Sequence, residues 1–340
     1  MTACMNLFAS RRGWALLFVL GIVFPFVATN DYMLTVMSTA YIFALATVGL
    51  NLITGYTGQF NLAHGSFMAV GAYTVGILTV DHQVPFWLAF LASGVVVAVL
   101  GALIGLVSLR LRGHYFSIFT LCVGYIMFLV IEKWDGLTHG VADIIGIPAP
   151  SGFGLVSFDN PRALYYLVFA FLVLGVWLMH RIVNSLLGRT FMAIRNSDGL
   201  AQSLGINLMR NKVLAFVLSV VYAGFAGGLY AGAVRFLGPD LAGVDHTFDM
   251  TMYMLVGGIG TLAGPLLGAL LVPWLTQYLQ FLQEYRFVVF GPILILLVIF
   301  LPNGIVGLYQ AWQQRRARRP ALASGLAPHP SQAARGDGHA

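Results

Sequence analysis

Uncharged apolar stretches, each long enough to cross a membrane as a helix of about 20 residues, recur along this 340-residue chain. They constrain its fold more than any other feature. Only 9% of the residues are charged, against roughly 25% in soluble domains, so charged side chains could not cover a globular surface. The chain is therefore expected to be an all-α integral membrane protein. A soluble enzyme, a disulfide-stapled secreted domain and a nucleic-acid-binding protein fit this composition poorly.

The apolar stretches predict a membrane domain over residues 1–312. They lie near residues 14–34, 36–54, 60–80, 85–108, 114–131, 163–180, 213–234, 249–283 and 287–308. The stretch 249–283 is too long for one crossing and is broken by glycines and Pro265, so it predicts two short crossings or a re-entrant pair. The tail 313–340 is rich in Arg, Ala, Gly and Pro without apolar periodicity, and we expect it to be disordered.

The distribution of Lys and Arg predicts the orientation, because these residues gather on the cytoplasmic side of membrane proteins. If the N-terminus, the 109–113 turn, the 181–212 loop and the tail share one side, that side holds 14 of the 18 Lys and Arg residues. It holds only 2 of the 12 Asp and Glu residues. Both termini are then cytoplasmic, which requires an even number of crossings. Eight transmembrane helices with a re-entrant element, or ten, satisfy this condition.

Several kinds of chemistry are missing from the sequence. The two lysines, Lys133 and Lys212, lie outside any GxxxxGK[ST] motif, so the chain has no P-loop of its own. The histidines show no metal-ligand spacing, and Cys4 and Cys122 form no CxxC pair. Residues 33–80 include no Asp, Glu, Lys or Arg, which disfavours an intramembrane ion relay. We expect no catalytic, cofactor-binding or metal-binding residues, and any energy for transport must come from elsewhere.

A first glycine-rich interruption separates two apolar stretches over residues 49–65. Irregular backbone at membrane depth persists only where it is buried in protein or lines a wet cavity. The segment therefore predicts a broken helix beside a solute pathway. The alternative is an ordinary turn in which neighbouring backbone satisfies the polar side chains, and composition does not separate the two. The candidate pathway residues here are Asn51, Gly55, Gly58, Gln59, Asn61 and His64.

A second interruption, over residues 257–265, adds Gly257, Gly258 and Gly260 as candidate pathway residues. Paired interruptions in the two halves of a transporter point to a transport site at the interface of internal repeats. No side-chain pattern aligns the two segments, so the correspondence is loose. The alternative is close helix packing, which also favours glycine.

The loop 181–212 has the pattern of two short amphipathic helices. Ser197 or Asp198 is a suitable N-cap for the second helix, and Gly205 is a suitable residue to end it. A projecting helix pair suits docking into a groove on a soluble partner, whereas the alternative is a basic loop lying on anionic lipid. The candidate coupling residues are Arg189, Arg195 and Asp198, as polar contacts, and Gly205, as the turn.

These stretches together resemble the LivM-type permease subunits of branched-chain amino-acid ABC importers. The resemblance rests on segments in the expected order over about 260 residues of the chain. They are GLNLITGYTGQFNLAHGSFMAVGAY (49–73), LRLRGHYFSIFTL (109–121), GRTFMAIRNSD (188–198), LAFVLSVVYAGFAGGLYA (214–231), GGIGTLAGPLLGA (257–269) and LPNGIVGL (301–308).

The resemblance implies a multi-pass permease of the bacterial inner membrane. It implies a LivH-type permease partner, two cytoplasmic ABC ATPase subunits that hydrolyse ATP, and a periplasmic solute-binding protein. The loop 188–207 matches the segment that couples to the ATPases. Asn61 and the outer loop near His139 depart from the family pattern, so we expect branched-chain amino acids or a related small polar solute. A gradient-driven secondary transporter or channel is the alternative, and a membrane enzyme is less favoured.

Overall fold

The computed structural model describes residues 18–19, 21–26, 30–111, 113–152, 158, 160–278, 304 and 307. The tail 313–340 and nearly all of the predicted stretch 287–308 lie outside the described residues. Within them, the chain is almost entirely helical. The helices are α1 (Asp31–Asn51), α2 (His64–Val80), α3 (Phe86–Ser108), α4 (His114–Lys133), α5 (Asp135–Thr138), α6 (Pro161–Val183), α7 (Leu186–Asn196), α8 (Asp198–Ser203), α9 (Leu208–Val234), α10 (Val244–Gly257) and α11 (Ala263–Tyr278).

Five helical segments of the described residues are long and apolar enough to cross a membrane. They cover 31–56, 86–108, 114–133, 161–183 and 208–234, and the helices over 64–80 and 263–274 are shorter but also apolar. The all-α, multi-pass membrane class is thereby confirmed. The stretch 249–283 divides into α10 and α11, which are separated by residues 258–262.

Helix α9 packs against α1, α2 and α3 at the centre of the bundle. Glycines make this packing close: a Cβ at Gly227 would overlap the carbonyl oxygen of Met68, and one at Gly224 would lie 2.9 Å from a methyl carbon of Val97. Small residues of this kind let helix backbones approach in a membrane, where burial of apolar surface does not drive association. Helices α3 and α4 instead present large apolar side chains on the outside of the described fold, among them Leu91, Val99 and Ile126.

The bundle has two ends that differ in structure. At one end, which we call the ribbon end, strands β1 (Ile144–Ile145) and β2 (Phe236–Leu237) pair antiparallel. Helix α2 leads to the ribbon end, because a Cβ at Gly76 would lie 3.0 Å from the Leu237 side chain. At the other end, which we call the hairpin end, helices α7 and α8 form a helical hairpin.

Candidate functional site

The hairpin follows from short-range sequence signals. Phe191 and Ile194 lie three residues apart on α7 and are both buried against the bundle. A Cβ at Gly188 would overlap the backbone of Val183, so only glycine allows α7 to begin this close to the end of α6. The predicted pair of short amphipathic helices is confirmed.

Both ends of α8 are capped by the residues expected to cap them. Ser197 accepts a hydrogen bond from a backbone N–H in the first turn, at 3.3 Å. Gly205 adopts φ +82° and donates its N–H to the carbonyl of Gln202, while the N–H of Ile206 donates to the carbonyl of Ala201. This pair of bonds is the Schellman motif. Gly205 is therefore the turn residue between α8 and α9.

Asp198 forms an ion pair within the chain. Its Oδ2 lies 2.7 Å from Nζ of Lys212, which is 95% buried at the start of α9. A buried ammonium is strongly destabilising unless it is paired, so Asp198 fixes α8 to α9. Nothing in the sequence pattern distinguished Lys212 as the partner, because the two residues lie on separate helices.

The outward surface of the hairpin combines apolar and basic side chains. Leu186, Leu200 and Leu204 are among the most exposed large apolar residues at this end, and Arg189 is also exposed. Exposed leucines on two short helices form a surface of the kind that docks into an apolar groove.

The first interruption begins as a π-helical turn, Leu52–Tyr56, that continues α1. Just before it, the buried side chain of Asn51 contacts the second interruption. Asn51 Nδ2 donates to the carbonyl of Thr261 at 2.8 Å, and Asn51 Oδ1 accepts from the N–H of Gly260 at 2.9 Å. The two interruptions, about 210 residues apart in sequence, are therefore joined directly by one side chain.

Glycines make this junction possible. A Cβ at Gly55 would overlap Asn51 Oδ1 and would lie 2.7 Å from the backbone nitrogen of Gly260. Gly258 and Gly260 have φ values of +125° and +73°, which L side chains rarely adopt. A Cβ at Gly257 would overlap the carbonyl oxygen of Gly264, so close packing of α10 on α11 also requires glycine.

Arg195 connects the hairpin to both interruptions. A Cβ at Gly58 would lie 3.3 Å from Cγ of Arg195, and a Cβ at Gly260 would overlap its Nη1. The last turn of α7 thus lies against both glycine-rich segments, which the sequence alone did not indicate.

The remaining candidates lie in the irregular segment before α2 and at its first residue, His64. Asn61 Oδ1 accepts from the backbone N–H of Ala63 at 3.0 Å, and His64 Nε2 lies 2.9 Å from the carbonyl oxygen of Ala46. Gln59 is half-buried. Neighbouring backbone therefore satisfies one side of Asn61 and one side of His64, as in the simple-turn interpretation. Asn61 Nδ2 and His64 Nδ1 have no partner among the described residues.

Three hydroxyl groups that are not among the predicted site residues also stabilise this segment through hydrogen bonds. Thr120 Oγ1 accepts from the N–H of Leu62 at 3.1 Å, and Thr247 Oγ1 accepts from the N–H of Gly65 at 2.9 Å. Ser66 Oγ donates to the carbonyl of Gly124 at 3.0 Å. Lone hydroxyls in apolar helices carry no signal of their distant partners, so sequence reasoning missed them.

A cavity of about 470 Å³ is formed by a different part of the chain. It is lined by residues 146–152 with Phe158 and Arg235, close to the β1–β2 ribbon. None of the candidate pathway or coupling residues lines it.

Comparison with known proteins identifies similar chains. The family described as "Branched-chain amino acid transport system / permease component" matches residues 32–299. The chain is 29% identical over 312 residues to the high-affinity branched-chain amino acid transport system permease protein LivM of Escherichia coli (strain K12), covering 85% of this chain and 73% of that protein. It is 29% identical over 295 residues to the high-affinity branched-chain amino acid transport system permease protein BraD of Pseudomonas aeruginosa. That match covers 81% of this chain and 93% of BraD.

A lower similarity extends to a second permease type. The chain is 26% identical over 287 residues to permease protein LivH of Escherichia coli (strain K12), covering 78% of this chain and 91% of that protein. No solved structure matches.

Proposed function

Because the chain belongs to the family of branched-chain amino acid transport permease components, we propose that it forms half of the pathway of an ATP-driven importer for branched-chain amino acids. Family membership makes it a permease subunit of a transport system. The names of the relatives from Escherichia coli and Pseudomonas aeruginosa support the choice of solute. The absence of charged residues from positions 33–80 supports an external energy source over an ion relay.

The proposed partners are a LivH-type permease, two cytoplasmic ABC ATPases and a periplasmic solute-binding protein. Similarity to both LivM and LivH supports pairing of two related permeases around one pathway. The lack of a P-loop motif in the sequence supports ATP hydrolysis by separate subunits.

The proposed location is the bacterial inner membrane, with the hairpin and both termini in the cytoplasm. The concentration of 14 of 18 Lys and Arg residues on that side supports this orientation. The ribbon end, with its cavity, then faces the periplasm, where a binding protein would deliver solute.

In this proposal, the hairpin docks on an ATPase through its exposed leucines and Arg189, and Gly205 allows the chain to turn back into α9. The observation that carries the coupling mechanism is the position of Arg195, which contacts the glycine-rich segments of both halves. A displacement of α7 by the ATPase would reach Gly58 and Gly260 through this one side chain. Asp198 keeps α8 attached to α9 during that movement.

Charge reversal at Arg195 tests the proposal in the complex reconstituted with its partner subunits. We expect Arg195→Glu to abolish ATP-dependent leucine uptake and the stimulation of ATP hydrolysis by loaded binding protein, with normal membrane insertion. The matched control is Arg210→Glu, because Arg210 is also an exposed arginine at the hairpin end. Uptake by Arg195→Glu equal to that of the control would contradict the coupling role.

A further inference from the structure

The start of α2 lies inside the bundle and not at its surface. His64, its first residue, is fully buried, and its Nε2 is 2.9 Å from the carbonyl oxygen of Ala46 in α1. Ser66 Oγ donates to the carbonyl of Gly124, at the middle of α4. The N-terminal end of a helix carries a partial positive charge. Helix α2 has no acidic residue in its first turn to compensate that charge.

Two polar side-chain atoms at this point have no partner among the described residues. They are Nδ2 of Asn61, which is 1% exposed, and Nδ1 of His64, which is 0% exposed. Because Asn61 Oδ1 accepts from Ala63 N–H, the amide presents its two N–H donors elsewhere. Because His64 Nε2 donates to a carbonyl, Nδ1 of the neutral ring is left as an acceptor. The start of α2 thus has one unused donor group and one unused acceptor.

Buried donors and acceptors without partners destabilise a fold, so each calls for a water, an ion or a ligand that satisfies it. The surroundings specify the charge of that ligand. Residues 33–80 supply no formal charge, so a ligand with a large net charge would be disfavoured at this depth. The neighbouring helix α10 has Asp245 in its first turn, whereas α2 has no acidic residue in its own first turn.

We infer that the start of α2 binds the head group of an amino-acid solute. The carboxylate is bound by Asn61 Nδ2 and the positive end of α2, and the ammonium group is bound by His64 Nδ1. A zwitterion has no net charge, and it supplies the acceptor and the donors that these two atoms lack. This inference rests on the proposed transport function and adds a location on the pathway to it.

Asn61→Asp in the reconstituted complex tests the inference. An aspartate oxygen can still accept from Ala63 N–H, whereas the other oxygen replaces the amide donor with a carboxylate that repels the carboxylate of the solute. A buried carboxylate without a partner is itself destabilising, so assembly with the partner subunits is measured beside uptake. We expect leucine uptake to fall about tenfold to a hundredfold, the range for losing a hydrogen bond to a charged group. Co-purification with the partner subunits and basal ATP hydrolysis should stay at the parent level.

Two further variants make the outcome decisive. Asn160→Asp is the matched control. Like Asn61, exposed Asn160 accepts through Oδ1 from the backbone N–H two residues further on, here that of Arg162 at 3.0 Å. Uptake by Asn160→Asp should equal that of the parent. Asn61→Ser keeps an acceptor and a donor, so its uptake should lie closer to the parent's than to that of Asn61→Asp. Parental uptake by Asn61→Asp, or loss of assembly in both Asn61 variants, would overturn the inference. Absence of leucine uptake by the parent complex would instead overturn the proposed function.

Discussion

Removing the side chain of Asn51 should loosen the junction between the two glycine-rich segments. In Asn51→Ala, the carbonyl of Thr261 and the N–H of Gly260 lose their bonds of 2.8 and 2.9 Å. A buried group left without its partner costs about 1–3 kcal/mol. Thr261 and Gly260 are only half-buried, so water partly compensates them. We therefore expect a loss of about 2–4 kcal/mol in the free energy of unfolding.

Thermal unfolding of the detergent-solubilised protein measures this loss. In a chain of 340 residues, the expected decrease in Tm is roughly 3–6 °C. The matched control is Asn211→Ala, because half-buried Asn211 makes only a local, solvent-exposed bond to the carbonyl of Asn207, at 2.8 Å. That substitution should change Tm by about 1 °C or less. Equal Tm values for the two variants would refute the conclusion that Asn51 holds the two segments together.

The other predictions concern the hairpin and its contacts. Asp198→Asn leaves the buried ammonium of Lys212 without its carboxylate, whereas Lys212→Met removes the charge itself. We therefore expect a lower Tm for Asp198→Asn than for Lys212→Met. The reverse order would contradict a structural ion pair. Gly260→Ala imposes both a strained φ and an overlap with Arg195, whereas Gly205→Ala imposes only the strained φ, since nothing lies within 4 Å of its position. Leucine uptake should therefore fall further in Gly260→Ala, and equal uptake by the two alanine variants would show that the contact with Arg195 is unimportant.

The hairpin was predictable because its signals are local. Ser197 and Gly205 fulfil capping rules that involve residues only a few positions away, and helical spacing of Phe191 and Ile194 marks the buried face of α7. The long apolar helices were predictable for a similar reason, since length and composition alone decide whether a helix can cross a membrane.

The arrangement of the two interruptions was not predictable from the sequence. Asn51 could be identified as a polar residue at membrane depth, but its partners lie about 210 residues away. The predicted stretch began at residue 60, whereas α2 begins at His64, and a hydroxyl of α4 that is distant in sequence accepts from the N–H of Leu62 before it. The position of Arg195 between the segments likewise depends on how α7 packs, which no local pattern encodes.

The central claim is that this chain forms a pathway for solute and depends on partner ATPases for energy. The direct measurement is leucine accumulation in proteoliposomes containing the chain and its LivH-type partner, with and without the ATPase subunits and ATP. We expect accumulation against a gradient only with the ATPases, ATP and loaded binding protein all present. Uphill accumulation by the permeases alone, or driven by a proton or sodium gradient, would contradict the claim.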